Sequence, residues 1–168
     1  MKLSDAPADK TRTSEVTGRR SLEVYSDGAS RGNPGPAGIG GVARDSSGRM
    51  VTSVLAYLGE TTNNVAEYHA LIAILEDVKG LGYDRVRVNT DSELVANQVS
   101  GGFKVKSQAL RPLVARVRAL LEPYSRVEVR HIPREKNYEC DALANRAIDE
   151  GLAGSREQVL APGDDALF

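Results

Sequence analysis

The sequence predicts an α/β domain: a mixed five-stranded sheet, an antiparallel meander followed by two parallel strands, with helices on both faces. Three observations lead there. Apolar and polar residues alternate from Leu22, and turn-rich breaks divide the stretch that follows into three closely spaced strands. Two later β-like runs are each preceded by a helical stretch. Helical crossovers join parallel neighbours, so these two runs enter the same sheet in one direction.

Each element has its own justification. Leu22, Val24 and Ser26 alternate with Glu23, Tyr25 and Asp27, as on a strand with one buried face. Gly32-Asn33-Pro34-Gly35-Pro36 breaks that strand, and a second is expected over 39–44. Asp45-Ser46-Ser47-Gly48 is a turn signal before a third strand over 50–57. A helix follows over 64–79, where Asn64 and Glu67 have capping-box spacing and Tyr68, Leu71, Ile72, Leu75 and Val78 form an apolar stripe up to Gly80. The fourth strand spans 85–90 with Val86 and Val88 inward, and a short helix over 92–99 ends at Gly101-Gly102. Leu110, Leu113, Val114, Val117 and Leu121 mark a helix over 107–121. The fifth strand covers 127–132, and a last helix over 137–150 is closed by Gly151.

This places the ordered domain at 21–151. Residues 1–20 are polar and mildly basic, with five Lys/Arg against three Asp/Glu, and are expected to form a flexible arm. Residues 152–168, which include Ala161-Pro162-Gly163-Asp164-Asp165, are expected to be a loose tail.

The chain has 168 residues, enough for one domain with a real core. Apolar content of 40% and charged content of 27% are those of an ordinary soluble protein. A net charge of −1 excludes a strong overall field toward nucleic acid, so any such binding must rest on local patches. The lone Cys140 excludes an internal disulfide and fits a reducing compartment. No apolar run is long enough to span a bilayer, so no membrane role and a cytoplasmic location are expected.

Four acidic residues stand in distinctive frames: Asp27 in Tyr-Ser-Asp-Gly-Ala-Ser, Glu67 in Thr-Thr-Asn-Asn-Val-Ala-Glu, Asp91 in Asn-Thr-Asp-Ser, and Asp141 in Asn-Tyr-Glu-Cys-Asp. Each has a bland explanation. Asp27 opens a turn, Glu67 completes a capping box, Asp91 caps a helix and Asp141 complements a helix dipole. Their shared location argues for more. All four lie at a strand end or at the start of a helix that packs on the sheet. Glu67 shares its helical face with Ala70, Leu71 and Ile74, where an ionised carboxylate is costly unless something neutralises it. Asp91 closes a parallel strand, the edge where α/β sheets hold ligands. With the first and fourth strands adjacent, Asp27 and Asp91 sit side by side. Four converging carboxylates repel one another, and divalent cations remove that repulsion. With neither a Cys nor a His cluster beside them, the hard oxygen ligands favour Mg²⁺ or Mn²⁺ over Zn²⁺.

Five segments in this order, Tyr25 to Gly38, Thr61 to Glu67, Thr90-Asp91-Ser92, Pro133 to Asn137, and Cys140 to Ala144, are similar to those of the type 1 ribonuclease H family. The resemblance covers 21–150. It implies a ribonuclease H-like fold and two-metal hydrolysis of the RNA strand of RNA–DNA hybrids, giving 5′-phosphate and 3′-hydroxyl ends. Asp27, Glu67, Asp91 and Asp141 would be the catalytic, metal-binding acids, holding two Mg²⁺ or Mn²⁺ ions with substrate bound. Gly28, Asn33 and Asn63 match positions that contact the hybrid. Glu93 stands where other members often carry Gln.

Two departures mark a compact branch. The long His-bearing loop before the fourth acid is reduced to Ile132 through Asn137, which makes Arg134 the candidate for product release and assigns His131, in line with Val127 and Val129, a structural place on its strand. The basic handle is reduced to Phe103-Lys104-Val105-Lys106. Some members of this branch also cut double-stranded RNA, so substrate range stays open. So does the alternative of a non-catalytic nucleic-acid-binding domain. A monomer is expected.

Overall fold

The computed structural model describes residues 20–102 and 104–160, with 155–160 described by backbone alone. The expected arm over 1–19 and the tail beyond 160 lie outside the described residues.

Five strands form one open sheet in the order β3-β2-β1-β4-β5. The antiparallel meander consists of β1 (Ser21–Ser30), β2 (Gly35–Asp45) and β3 (Met50–Thr61). Parallel to β1 runs β4 (Arg85–Thr90), and parallel to β4 runs β5 (Arg126–His131). This is the expected mixed sheet. β2 is longer than its composition predicts, because pairing on both sides outweighs the weak strand propensity of its glycines.

One face carries α1 (Asn63–Val78), α2 (Glu93–Ser100) and α3 (Arg111–Leu121). Their stripes meet Leu22, Val24, Val86 and Val88 of the strands in a core that includes Tyr68, Leu71, Leu75, Val95, Val114 and Val117. The opposite face carries α4 (Tyr138–Leu160), preceded by a 3₁₀ turn over Arg134–Asn137. Glycines in β2 set both approaches. A Cβ at Gly40 would lie 2.4 Å from the Cys140 carbonyl oxygen of α4, whereas a Cβ at the adjacent Gly41 would lie 2.9 Å from Ile74 of α1.

Several boundaries differ from expectation, each for a local reason. Thr62, not Asn64, caps α1: its hydroxyl accepts from the Val65 N–H. Ser92, not Asp91, caps α2, accepting from the Val95 N–H at 3.2 Å. Helix α3 starts at Arg111 rather than 107, because Pro112 lacks an N–H and belongs in a first turn. Its lead-in is a turn in which the Arg111 N–H bonds Ser107 O at 3.1 Å. Gly151 does not close the last helix; α4 continues to Leu160. A Cβ at Gly151 would lie 2.1 Å from the Tyr57 ring, so this glycine makes room for the β3 side chain instead of ending a helix. The boundary expected at 151 therefore falls inside α4. Among the described residues, no helix is long and apolar enough to cross a membrane.

Candidate active site

The two capping corrections bear directly on the acids. With Thr62 and Ser92 serving as caps, neither Glu67 nor Asp91 is used to terminate its helix. Asp27 lies near the end of β1 and is 5% exposed. Ser26 and Thr90 are in register on β1 and β4, so Asp27 and Asp91 follow one residue later on neighbouring strands. From above, α1 delivers Glu67. Gly28 makes that possible, since a Cβ there would stand 2.2 Å from the Ala66 carbonyl carbon and 2.3 Å from the Glu67 nitrogen. A helix can sit this close to a strand only where the strand lacks a side chain.

Carboxylate oxygens of Asp27, Glu67 and Asp91 all lie within 4.8 Å of one another. Asp141, in the first turn of α4, lines the same cleft as these three, and its charge helps to raise the Asp27 pKa. All four line one cleft of about 370 Å³, together with Gly28, Ser30, Arg31, Asn63, Arg134 and Asn145.

The electrostatics follow from burial and like charge. Burial, then the Asp91 carboxylate, pushes the Asp27 pKa up to about 7, while its hydrogen bond with Glu67 opposes the rise. Glu67 is held well above the usual carboxylate range by burial and by the charges of Asp27 and Asp91; the Gly28 N–H, which donates to it, acts the other way. Asp91 is raised by burial and eased by the positive charge of Arg134 and a hydrogen bond from Asn137. Without cations, the cluster holds protons it would otherwise lose.

The donor set fits hard divalent cations. It is all oxygen, and Glu67 Oε2 is buried with no hydrogen-bond partner among the described residues. Of the other three such atoms among the described residues, Ser26 Oγ and Asn137 Oδ1 belong to residues adjoining the same acids, and Asp84 Oδ1 lies outside the cleft. Buried polar atoms without partners are uncommon in folded proteins and call for an occupant.

The remaining candidates separate into two groups. Asn63 lines the cleft and its Oδ1 accepts from the Ser30 N–H at 3.0 Å. Asn33 is one step removed: its Oδ1 accepts from the Asn63 N–H at 3.1 Å, which pins the turn after β1 to the start of α1. Arg134 is 81% exposed, with Nη2 4.0 Å from Asp141 Oδ1. Glu93 is exposed in the first turn of α2 and is not among the cleft-lining residues. His131 is exposed at the end of β5, where its Nε2 donates to the Asp91 carbonyl oxygen at 3.1 Å; its structural place is that of a tether on the strand end.

Three residues were missed by sequence reasoning. Asn137 is 2% exposed and donates to Ser26 O at 2.9 Å, tying the 3₁₀ turn to β1 beside Asp27. Asn145 donates to both the carbonyl and the Oδ1 of Asp141, at 3.0 and 3.3 Å. Its spacing of four from Asp141 on a helix was the available signal. Arg31 sits inside the first motif, and a cation four residues after Asp27 was the signal there.

A family model described as reverse transcriptase-like matches residues 25–147. Ribonuclease HI of Halobacterium salinarum is 39% identical over 145 residues, covering 86% of this chain and 73% of that protein. The bifunctional protein Rv2228c of Mycobacterium tuberculosis is 44% identical over 128 residues, covering 75% of this chain but only 35% of that protein. The crystal structure of LC11-RNase H1 in complex with an RNA/DNA hybrid superposes with a TM-score of 0.73 at 45% identity, covering 78% of this chain and 99% of that one.

Proposed function

The chain belongs to the type 1 ribonuclease H family, and we propose that it is an endoribonuclease that hydrolyses the RNA strand of RNA–DNA hybrids, leaving 5′-phosphate and 3′-hydroxyl ends. The observation that carries this reading is the convergence of Asp27, Glu67 and Asp91 within 4.8 Å, with a partnerless Glu67 oxygen among them.

Asp27, in contact with carboxylates on both sides, would be common to two cations. Glu67 and Asp91 would complete the first site and Asp141 the second. Mg²⁺ or Mn²⁺ suits the all-oxygen set, and such ions when bound supply the charge that activates water and stabilises a departing oxyanion. The protein's own share is preorganisation. The Gly28 N–H orients Glu67, Asn145 orients Asp141, and His131 with Asn137 fixes the strand ends that carry Asp91 and Asp27. A site held this way reorganises little as charge develops. Gly28 and Asn63 present backbone and amide groups suited to a 2′-hydroxyl, the group that distinguishes an RNA strand, and Asn33 would act through Asn63, whose main chain it holds. Arg134, exposed beside Asp141, would meet a phosphate and help product leave.

The test is cleavage of an end-labelled hybrid with Mg²⁺ or Mn²⁺. The parent protein is expected to cut the RNA strand and Asp91→Asn to lose more than about a hundredfold in rate. A variant that cuts as fast as the parent would reject the reading. Double-stranded RNA and RNA–DNA junctions assayed in parallel set the substrate range.

A further inference from the structure

We propose that Arg31 is a substrate-binding residue, a phosphate clamp on the flank of the acidic cleft, and that Asp149 holds it ready. This rests on the nuclease reading above. Arg31 follows the last residue of β1 and lines the cleft with the four acids. Its main chain is firmly placed. The Arg31 N–H donates to Pro36 O at 2.9 Å, and the loop folds back so tightly that a Cβ at Gly35 would lie 2.3 Å from the Arg31 carbonyl oxygen. The guanidinium is tethered as well, with Nη1 2.7 Å from Asp149 Oδ1 and Nη2 donating to Asn145 O at 3.4 Å.

These contacts leave capacity for a ligand. A guanidinium carries five N–H donors in a planar fork, and among the described residues two of its three nitrogens are engaged. The Arg31 side chain is 40% exposed and that of Asp149 67%, so the pair itself contributes little to stability. Its evident consequence is to fix where the fork points.

Position gives the ligand class. Arg31 and Arg134 are the cationic residues among those lining the cleft. Arg134 stands at Asp141, at the start of α4, whereas Arg31 stands at Asn145 and Asp149, one and two turns further along. That separates their anchor points by about 6–12 Å along the helix axis. A polyanionic strand crossing the carboxylates would meet a cation on either side, which suits successive phosphates of one backbone.

The test is equilibrium binding of a fluorescent RNA–DNA hybrid in Ca²⁺ buffer across a salt series. Arg31→Ala is expected to raise Kd about tenfold and to reduce the slope of log Kd against log salt by about one. Arg31→Lys should recover the slope but only part of the affinity, since it keeps the charge and loses the fork. Asp149→Asn should keep the parental slope, because the arginine remains. The inference is overturned if Arg31→Ala binds like the parent, or if Arg31→Ala and Asp149→Asn lose equal slope, the mark of a shared fold contact. A parent protein that binds no hybrid overturns both this inference and the nuclease reading; a parent that binds, with Arg31→Ala unchanged, overturns this one alone.

Discussion

Asp27 is 5% exposed and shares its surroundings with three other carboxylates. Its folded pKa of about 7 lies above the 3.8 of an unperturbed aspartate, so the folded protein binds a proton that the unfolded chain releases. The stabilisation tied to that proton is present below pH 4 and is lost as pH rises toward and through 7. Metal-free protein should therefore lose melting temperature across that window, and Mn²⁺ should restore it most at the high end; melts in EDTA and in Mn²⁺ at several pH values check this. Asp27→Asn should flatten the metal-free profile. It should also raise the melting temperature at neutral pH, by roughly 2–4 °C for each kcal/mol of repulsion removed, while abolishing hybrid cleavage. A clear fall in melting temperature would contradict the electrostatic account.

At the scale of elements, the site depends on how closely two helices approach the sheet. Gly28 lets α1 lower Glu67 onto β1, and Gly40 lets α4 bring Asp141 alongside. Overpacking a tight contact typically costs about 1–3 kcal/mol. Gly28→Ala should reach at least that range, because the atoms a Cβ would strike are main chain of Ala66 and Glu67 and have no rotamer to escape into. Calorimetric Mn²⁺ titration should show weakened binding in the same variant, since displacing α1 withdraws Glu67. His131→Ala is the contrasting case. It removes a single exposed hydrogen bond to the Asp91 main chain, and it should reduce cleavage by no more than about tenfold, with stability nearly unchanged. A loss as large as that of Asp91→Asn would give His131 a more direct part.

At the scale of the whole molecule, the sheet is asymmetric. Among the described residues, three helices and the main core cover one face, and α4 is the helix that crosses the other. Cys140 is caught in that second interface at 1% exposure, where burial pushes its thiol up to about 12. A buried, protonated thiol is a poor nucleophile. Thiol reagents should therefore modify Cys140 only when α4 separates from β2, which makes its labelling rate a direct measure of that opening. Labelling as fast as a free cysteine would show α4 to be loosely held.

The mixed sheet of a meander and two parallel strands, and the motif frames around the four acids, could be read from the sequence alone, because each rests on local signals. Alternation at Leu22 to Asp27 and the apolar stripe from Tyr68 to Val78 report which faces are buried, and the motif frames single out the carboxylates. The exact duty of each polar residue was not local. Asn64 and Asp91 have the chemistry of caps, yet the backbone gave that role to Thr62 and Ser92 and left Glu67 and Asp91 facing the cleft. Gly151 has the chemistry of a stop, yet Tyr57 packs onto it and α4 continues. Arg31 and Asp149 lie 118 positions apart, the difference of their numbers, and only the crossing of α4 over the sheet joins them. What the sequence by itself determined was which residues are buried or charged and how they alternate, since side-chain chemistry acts over one or two turns of chain. What the tertiary structure decided was which of them meet, since contact between distant segments depends on how closely whole elements can pack.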